Sequence, residues 1–357
     1  MKHLINTTIL LLTLLLLAMV SCSGKKSVSK SDSKFKVNGI YYSINGSTAT
    51  VPFMGSRYYG SLIKFSNEYS KEYPSVLTIP ATITHGDTIY PVTSIDFFAF
   101  GSCSNLTDIT IPKSVTFIDD GAFSGCSNLA AISVASDNPK YDSRNNCNAI
   151  IETATNTLIA GCMNTTIPNS VTSIGEGAFN NCSNLTTINI PNSVTAIAFK
   201  AFDGTAWYDN QPDGWVYAGL VAYEYKGDMP EGTSITLREG TTGIADGAFS
   251  SSSKLTTVNI PSSVTYIGEG AFSSCIHLND VYCYATTPPK CCESTFTNIL
   301  YMTNSATLHV PAASLAAYLA APVWGDFKNI VGDADAPTGI ATSHDSVETQ
   351  SRVNKSN

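Results

Sequence analysis

Residues able to do chemistry are few in this chain, and they are scattered. Between Cys22 and the last two dozen positions stand three histidines, His85, His277 and His309, each in a separate stretch. Histidine catalysis needs a partner motif, and no His-Glu-x-x-His, Gly-x-Ser-x-Gly or phosphate-binding loop accompanies them. Gly175-Glu176-Gly177 and Gly268-Glu269-Gly270 suggest a nucleotide fingerprint. Both occupy the same place in a repeated text and lack the strand–loop–helix context, so their glycines are read as serving a tight turn.

The ten cysteines offer a second chemistry. Cys103, Cys126, Cys182 and Cys275 each follow a phenylalanine by three residues and so share one repeat position. One reading is a column of buried thiols. The other is a bridge between adjacent coils, for instance Cys103 to Cys126, whose Cα atoms would lie about 4.8 Å apart, within disulfide range. Cys147 and Cys162 form a second candidate pair. A metal needs ligands converging from several directions, which one column of thiols without histidines does not supply, so no metal and no cofactor is expected.

Charged residues make up 13% of the 357 positions, and the formal net charge is −8. Apart from Lys25-Lys26 the chain has no basic cluster, which removes the electrostatic footprint that a phosphate backbone requires; nucleic acid is excluded as a partner. At the N-terminus an apolar run from Ile9 to Val20 ends in Ser21-Cys22. The run is too short for a bilayer, which needs roughly 20 residues, and reads as an export signal over 1–21. Small residues just before the cysteine resemble the bacterial lipobox, which makes Cys22 the candidate for lipidation and 22–34 a tether. The membrane would then be met through the N-terminal lipid only.

The strongest signal is a repeat of 23 residues. Its anchors are Phe100, Phe123, Phe179, Phe202, Phe249 and Phe272; three intervals are 23, and the longer ones of 56 and 47 each leave room for a degenerate unit. Phe296 is a further anchor. Within a unit, Leu185, Ile188 and Ile190 form Leu-x-x-Ile-x-Ile, a short strand with those side chains inward and Thr187 and Asn189 outward. Pro191 ends it, Val194 and Ile197 return the chain, and Ala201-Phe202 close the coil. No coil buries its apolar face alone, so about eight coils over 92–300, two of them degenerate, must stack into a solenoid on the order of 40 Å long.

Both ends then need covering. Residues 35–91 read as an N-terminal β cap, with Gly39–Gly46 turning as a hairpin. Residues 301–332 read as a C-terminal cap, with a last strand at Ala306–Pro311, a helix at Ala312–Ala321 and Trp324, Phe327 and Ile330 folding back. Residues 333–357 lack periodicity and read as a disordered tail.

The unit running from Ile167-Pro-Asn-Ser-Val-Thr through Phe179-Asn-Asn-Cys-Ser-Asn-Leu185-Thr-Thr-Ile-Asn-Ile190 closely resembles the leucine-rich repeat of BspA-like surface proteins, over roughly residues 90 to 332. The resemblance implies a leucine-rich-repeat solenoid, β-rich with short helical or turn segments opposite, on an exported bacterial protein, often a lipoprotein, associated with adhesion to host proteins or other cells. It implies no enzyme activity. The expectation is therefore an outer-membrane lipoprotein at the cell surface that binds a host or bacterial surface protein.

Two surfaces are candidates for that partner. The strand face would present Thr107, Asp108, Thr110, Ala131, Ser133, Thr187, Asn189, Thr257, Asn259, Asp280 and Tyr282, small and mostly uncharged, suited to a broad contact. The degenerate unit between Phe202 and Phe249 carries Trp207, Tyr208, Trp215, Tyr217, Tyr223 and Tyr225. Its alternating text, Val216 to Tyr225, reads as a hairpin standing out from the solenoid with an aromatic face, a stacking platform for a glycan as the alternative ligand. The opposing reading packs these rings beneath the hairpin.

Overall fold

The computed structural model describes residues 34–53, 55–58, 64–67, 72–297, 299 and 306–334. These form a β-solenoid of about ten turns. The Leu-x-x-Ile-x-Ile text supplies the longer strands. Val76–Thr78, Asp108–Ile111 and Ala131–Val134 make one parallel sheet. Thr233–Thr236, Leu255–Ile260, Asp280–Cys283, Thr307–His309 and Asn329–Val331 make another, also parallel. Leu255, Val258 and Ile260 are buried while Thr257 and Asn259 are half-exposed, the period-2 pattern of a strand with one face in the core. Repeat length sets register: Asp108 pairs with Ala131 and Thr257 with Asp280, residues 23 apart in each case.

The return path is a second β column, of which the sequence shows only a run of apolar positions. Phe117–Ile118, Ser173–Ile174, Ala196–Ile197, Gly243–Ile244 and Tyr266–Ile267 are two-residue strands with parallel partners in neighbouring turns. Proline makes the corner between the columns. It ends the first strand, and its carbonyl accepts the amide three residues on, as at Val115 to Pro112, Val194 to Pro191 and Val264 to Pro261. On the third side, Gly177 and Gly270 hold φ of 61° and 59° two residues before their phenylalanines. The second glycine of Gly-Glu-Gly therefore serves a left-handed turn and no phosphate.

The anchor phenylalanines stack as a spine in three pieces. Phe100 lies on Phe123 (5.4 Å), Phe179 on Phe202 (5.3 Å), and Phe249, Phe272 and Phe296 follow at 4.6 and 5.2 Å, all with near-parallel rings. Among the described residues no ring contact joins the pieces, because each break is the site of an inserted hairpin. Ala149–Glu152 pairs with Thr157–Gly161 at the first break and Gly214–Ala218 with Val221–Lys226 at the second, both antiparallel. The second strand of each hairpin then joins the second column in parallel.

These insertions overturn two expectations. The 214–226 hairpin does not stand out from the solenoid; Val216, Ala218, Val221, Ala222 and Tyr223 are all buried in the core. And the segment holding Thr187 and Asn189 forms no strand: residues 185–190 have no sheet partner, and Ile188 is only half-buried. A strand is stabilised by its neighbours, and this turn lies between two turns altered by insertions, so no ladder of matching register sits beside it.

None of the nine described cysteines is bridged in a disulfide. The shared column is buried, with Cys126 Sγ donating to the Phe100 carbonyl and Cys275 Sγ to that of Phe249, both at 3.0 Å. In the degenerate turn Thr205 stands in this column, and its hydroxyl donates to the Phe202 carbonyl at 2.7 Å. At the N-terminal end, Ile40–Asn45 and Thr48–Val51 pair antiparallel. At the other end the helix Leu315–Ala320 leads to Trp324 and Phe327, whose rings pack edge-on against Phe296. Ala334 is also buried, so ordered chain continues past position 332. The apolar run, Cys22, the rest of the tether up to residue 33 and residues 335–357 lie outside the described residues.

Candidate functional site: the strand face and the aromatic insertion

The five-stranded sheet carries two outward rows. One aligns Ser234, Thr257, Asp280, Thr307 and Asn329; the other aligns Thr236, Asn259, Tyr282, His309 and Val331. The second row is tightly organised. The His309 ring stacks on Tyr282 at 4.1 Å, and its nitrogens reach Asp333 at 2.8 Å and Asp280 at 3.2 Å. Asn259 donates from Nδ2 to the Ile235 carbonyl and accepts at Oδ1 from the Tyr284 hydroxyl. Thr257, Asn259, Asp280 and Tyr282 thus sit together, half-exposed, on one rigid surface. Thr187 and Asn189 are exposed but stand outside this sheet.

Sequence reasoning missed His309, Tyr284 and Asp333 as members of the cluster. His309 was visible as a strand residue. Its place opposite Tyr282 depends on a 27-residue turn that departs from the repeat, and Asp333 lies where periodic text has ended.

The aromatic insertion divides into two groups. Trp207 packs on Phe202 at 4.8 Å. Tyr223 is buried beside it; its hydroxyl accepts from the Phe202 amide at 3.1 Å and donates to Asp203 Oδ1 at 3.0 Å. Its role is to join the spine to the hairpin, so it is no surface ring. Trp215, Tyr217 and Tyr225 share the other group. Trp215 lies 4.5 Å from Phe249 and 5.6 Å from Tyr225, and the Arg238 guanidinium sits 4.2 Å over Tyr217. All three are half-buried, so each ring gives one part to the core and one to solvent.

A third feature lies on the side of the Ala-Phe turns. A groove of about 670 Å³ is lined by Phe97, Phe98, Asp120, Glu176, Lys200 and Asp203 among others. Burial raises the carboxyl pKa of Asp120, with Asp119 adding to it, and likewise that of Glu176, with Asp120 adding. Along the same edge of the turns, burial pushes Asp96 and Asp246 up to about 6. Asp120, Glu176 and Asp246 share one repeat position, three before the anchor phenylalanine, and Asp96 stands one residue earlier in its turn; their cost is lost hydration and mutual repulsion. Among the described residues no three His, Cys, Asp or Glu side chains converge to hold a metal ion, and no helix is long and apolar enough to cross a membrane.

The arrangement offers extended surfaces for contact. A leucine-rich repeat protein from Bacteroides ovatus ATCC 8483 is 23% identical over 77% of this chain, with a TM-score of 0.29; the match spans 55% of that protein. A leucine rich cell surface protein from Faecalibacterium prausnitzii A2-165 is 20% identical, covering 84% of this chain and 95% of that one at a TM-score of 0.29. A leucine-rich repeat protein from Eubacterium ventriosum ATCC 27560 is 19% identical, covering 75% and 68% at a TM-score of 0.34. No curated protein matches the chain. The model of the BspA type leucine rich repeat region matches in six copies, over residues 82–152, 159–209 and 227–313. With more than half of its length in those copies, the chain belongs to the BspA-type leucine-rich repeat family.

Proposed function

We propose that this chain is an exported, lipid-anchored interaction protein of the bacterial cell surface, and that it adheres to a protein partner through the C-terminal half of its strand face. The observation that supports this most is the five-stranded sheet. Its outward rows, Thr257 to Thr307 and Asn259 to His309, form a flat, weakly polar surface held by backbone ladders on either side. Such a face suits a broad protein contact better than a deep pocket.

Thr257→Arg combined with Asn259→Arg places one long cation in each row, where desolvating them would oppose docking. Binding to an immobilised extracellular-matrix extract is expected to fall at least tenfold, with circular dichroism near wild type and a melting temperature lowered only by the loss of the two Asn259 side-chain hydrogen bonds. Equal binding by the two proteins would remove the strand face from consideration. The glycan reading is favoured by the half-exposed Trp215, Tyr217 and Tyr225 beside Arg238, and a glycan array probed in parallel discriminates it.

The anchor has its own test. Acylation of Cys22 would hold the chain at the outer membrane, and Cys22→Ser is expected to move it from the membrane fraction to the soluble periplasm or medium. Unchanged partitioning would mean that something other than this cysteine retains it.

A further inference from the structure

On the side of the Ala-Phe turns the stack continues where the strand column is interrupted. A Cβ at Gly121 would stand 3.6 Å from the Phe97 ring and one at Gly177 3.6 Å from the Gly121 Cα, while the Gly177 amide donates to the Phe199 carbonyl at 3.0 Å. Four successive turns, about 4.8 Å apart, therefore wall the groove of about 670 Å³, a volume ordinary for a binding site. Phe97 and Phe98 close one end, and Asp120, Glu176 and Asp203 line it together with one cation, Lys200. The Asp120 and Glu176 carboxylates have no hydrogen bond or ion pair among the described residues. Their tips are exposed, yet the groove walls strip enough water from both to raise their pKa. Shape and charge together call for a slender, cationic chain segment.

The chain itself carries one. Residues 23–33 hold Lys25, Lys26 and Lys30 against Asp32 alone. The described residues begin at Lys34, whose Nζ donates to the Phe53 carbonyl at 2.6 Å. The Phe53 ring in turn packs on Phe97 and Phe98, 6.3 Å from each, which puts the Lys34 ammonium at the Phe97 end of the groove. Fully extended, the four residues back to Lys30 span about 13 Å and the eight back to Lys26 about 26 Å. The turns of Asp120, Glu176 and Asp203 lie about 5, 10 and 14 Å from that of Phe97, within this reach. We infer that the groove is the docking site of the chain's own tether, with Lys25, Lys26 and Lys30 set against Asp120, Glu176 and Asp203 and the lysine stems laid along Phe97 and Phe98. Each exposed ion pair contributes little alone. Covalent attachment compensates, because a short linker presents its segment at a millimolar effective concentration, and this favours the tether over a separate basic protein. The consequence rests on the reading that Cys22 carries the lipid. A docked tether keeps Cys22, three positions before Lys25, beside the groove, so that the Ala-Phe side faces the membrane and the strand face stays free for its partner.

A carbodiimide tests the contact. It condenses an amine and a carboxylate that touch into an amide, with loss of water, and Lys36 with Glu72, 2.6 Å apart, serves as the internal control. With the full chain in neutral detergent micelles, mass spectrometry is expected to find Lys25, Lys26 or Lys30 joined to Asp120, Glu176 or Asp203 at least tenfold more often than to Asp108 on the strand face. Lys25→Glu/Lys26→Glu/Lys30→Glu should abolish these links. Adding Asp120→Lys/Glu176→Lys should restore them, with the amine and the carboxylate exchanged between tether and groove. The side chains of Asp120 and Glu176 are exposed and bond to no described residue, so this swap leaves folding intact.

Four results would overturn the assignment. One is the absence of tether links where the Lys36–Glu72 link forms, and another is a charge swap that restores nothing. The third is links joining isotope-labelled to unlabelled copies in a mixture, which would seat the tether on a second copy. The last is loss of the links on phosphatidylglycerol vesicles, which would assign the lysines to lipid headgroups. The Cys22→Ser chain separates this inference from the anchor reading, since it should give the same links wherever it partitions. Release from the membrane without links sinks the docking alone; links with unchanged membrane partitioning sink the anchor alone.

Discussion

Phe272→Ala is expected to destabilise the protein by about 4 kcal/mol, the upper range for truncating a buried aromatic side chain. Phe272 is fully buried and lies flat between Phe249 and Phe296, at 4.6 and 5.2 Å. The space left by the ring cannot close readily. The turns on either side are held at fixed spacing by the bonds from the Phe249 amide to the Ala271 carbonyl and from the Phe272 amide to that of Thr295. Each turn of a solenoid touches only its neighbours, so a fault here uncouples everything C-terminal to it, including Trp324 and Phe327. Urea denaturation followed by tryptophan fluorescence should therefore show a lower midpoint, with the Trp324 region melting first. A loss below about 1.5 kcal/mol would mean that the neighbouring rings collapse into the space and that the spine is not rigid.

Stability should also rise when the pH is lowered from 7.5 to about 5, contrary to the usual acid sensitivity of paired carboxylates. Burial pushes Asp96 and Asp246 up to about 6, from ordinary values of 3.8. Each binds its proton more tightly folded than unfolded. At pH 7.5 both therefore oppose folding; that opposition fades as pH falls through about 6 and is gone below 3.8. A shift of this size corresponds to roughly 3 kcal/mol for a group removed from water, and about 1–2 kcal/mol for half-buried ones after screening. The gain ends near the ordinary carboxylate range. Glu72, held low by Lys36 and Tyr41, and Glu152, held low by the Thr155 hydroxyl and Lys140, then start to lose their partners. Asp246→Asn should raise the melting temperature at pH 7.5 and flatten its pH dependence, since an amide oxygen can still accept the Glu269 amide that Asp246 Oδ1 accepts at 2.8 Å. A melting temperature that falls steadily from pH 7.5 to 5 would contradict this account.

Much of the architecture was legible because a repeat makes one local rule recur. The spacing of the anchor phenylalanines predicted stacked coils, and the inward pattern read at Leu185, Ile188 and Ile190 holds as a strand at the equivalent Leu255, Val258 and Ile260 but not where it was read. Thr257, Asn259, Asp280 and Tyr282 were placed outward by the same alternation, and they share one sheet. The second β column was not legible as such, since two-residue strands such as Ala196–Ile197 are too short to show a period of two.

What the sequence determined by itself is whatever one turn contains: the corner at Pro191 or Pro261, the left-handed glycine before Phe123, Phe179, Phe249 and Phe272, and the inward or outward direction of most side chains. What only the tertiary structure decided is whatever depends on the neighbouring turn. Leu185–Ile190 and Leu255–Ile260 carry nearly the same text, yet one is a paired strand and the other is not, because a strand's hydrogen bonds belong to its partner and an inserted hairpin displaced that partner. The aromatic residues of 207–225 divide for the same reason. Tyr223 meets the Phe202 amide and Asp203 in the gap the insertion opens, while Trp215 meets Phe249 and keeps part of its ring in water. His309 lies between Asp280 and Asp333 only because turns of unequal length bring three distant residues to one surface.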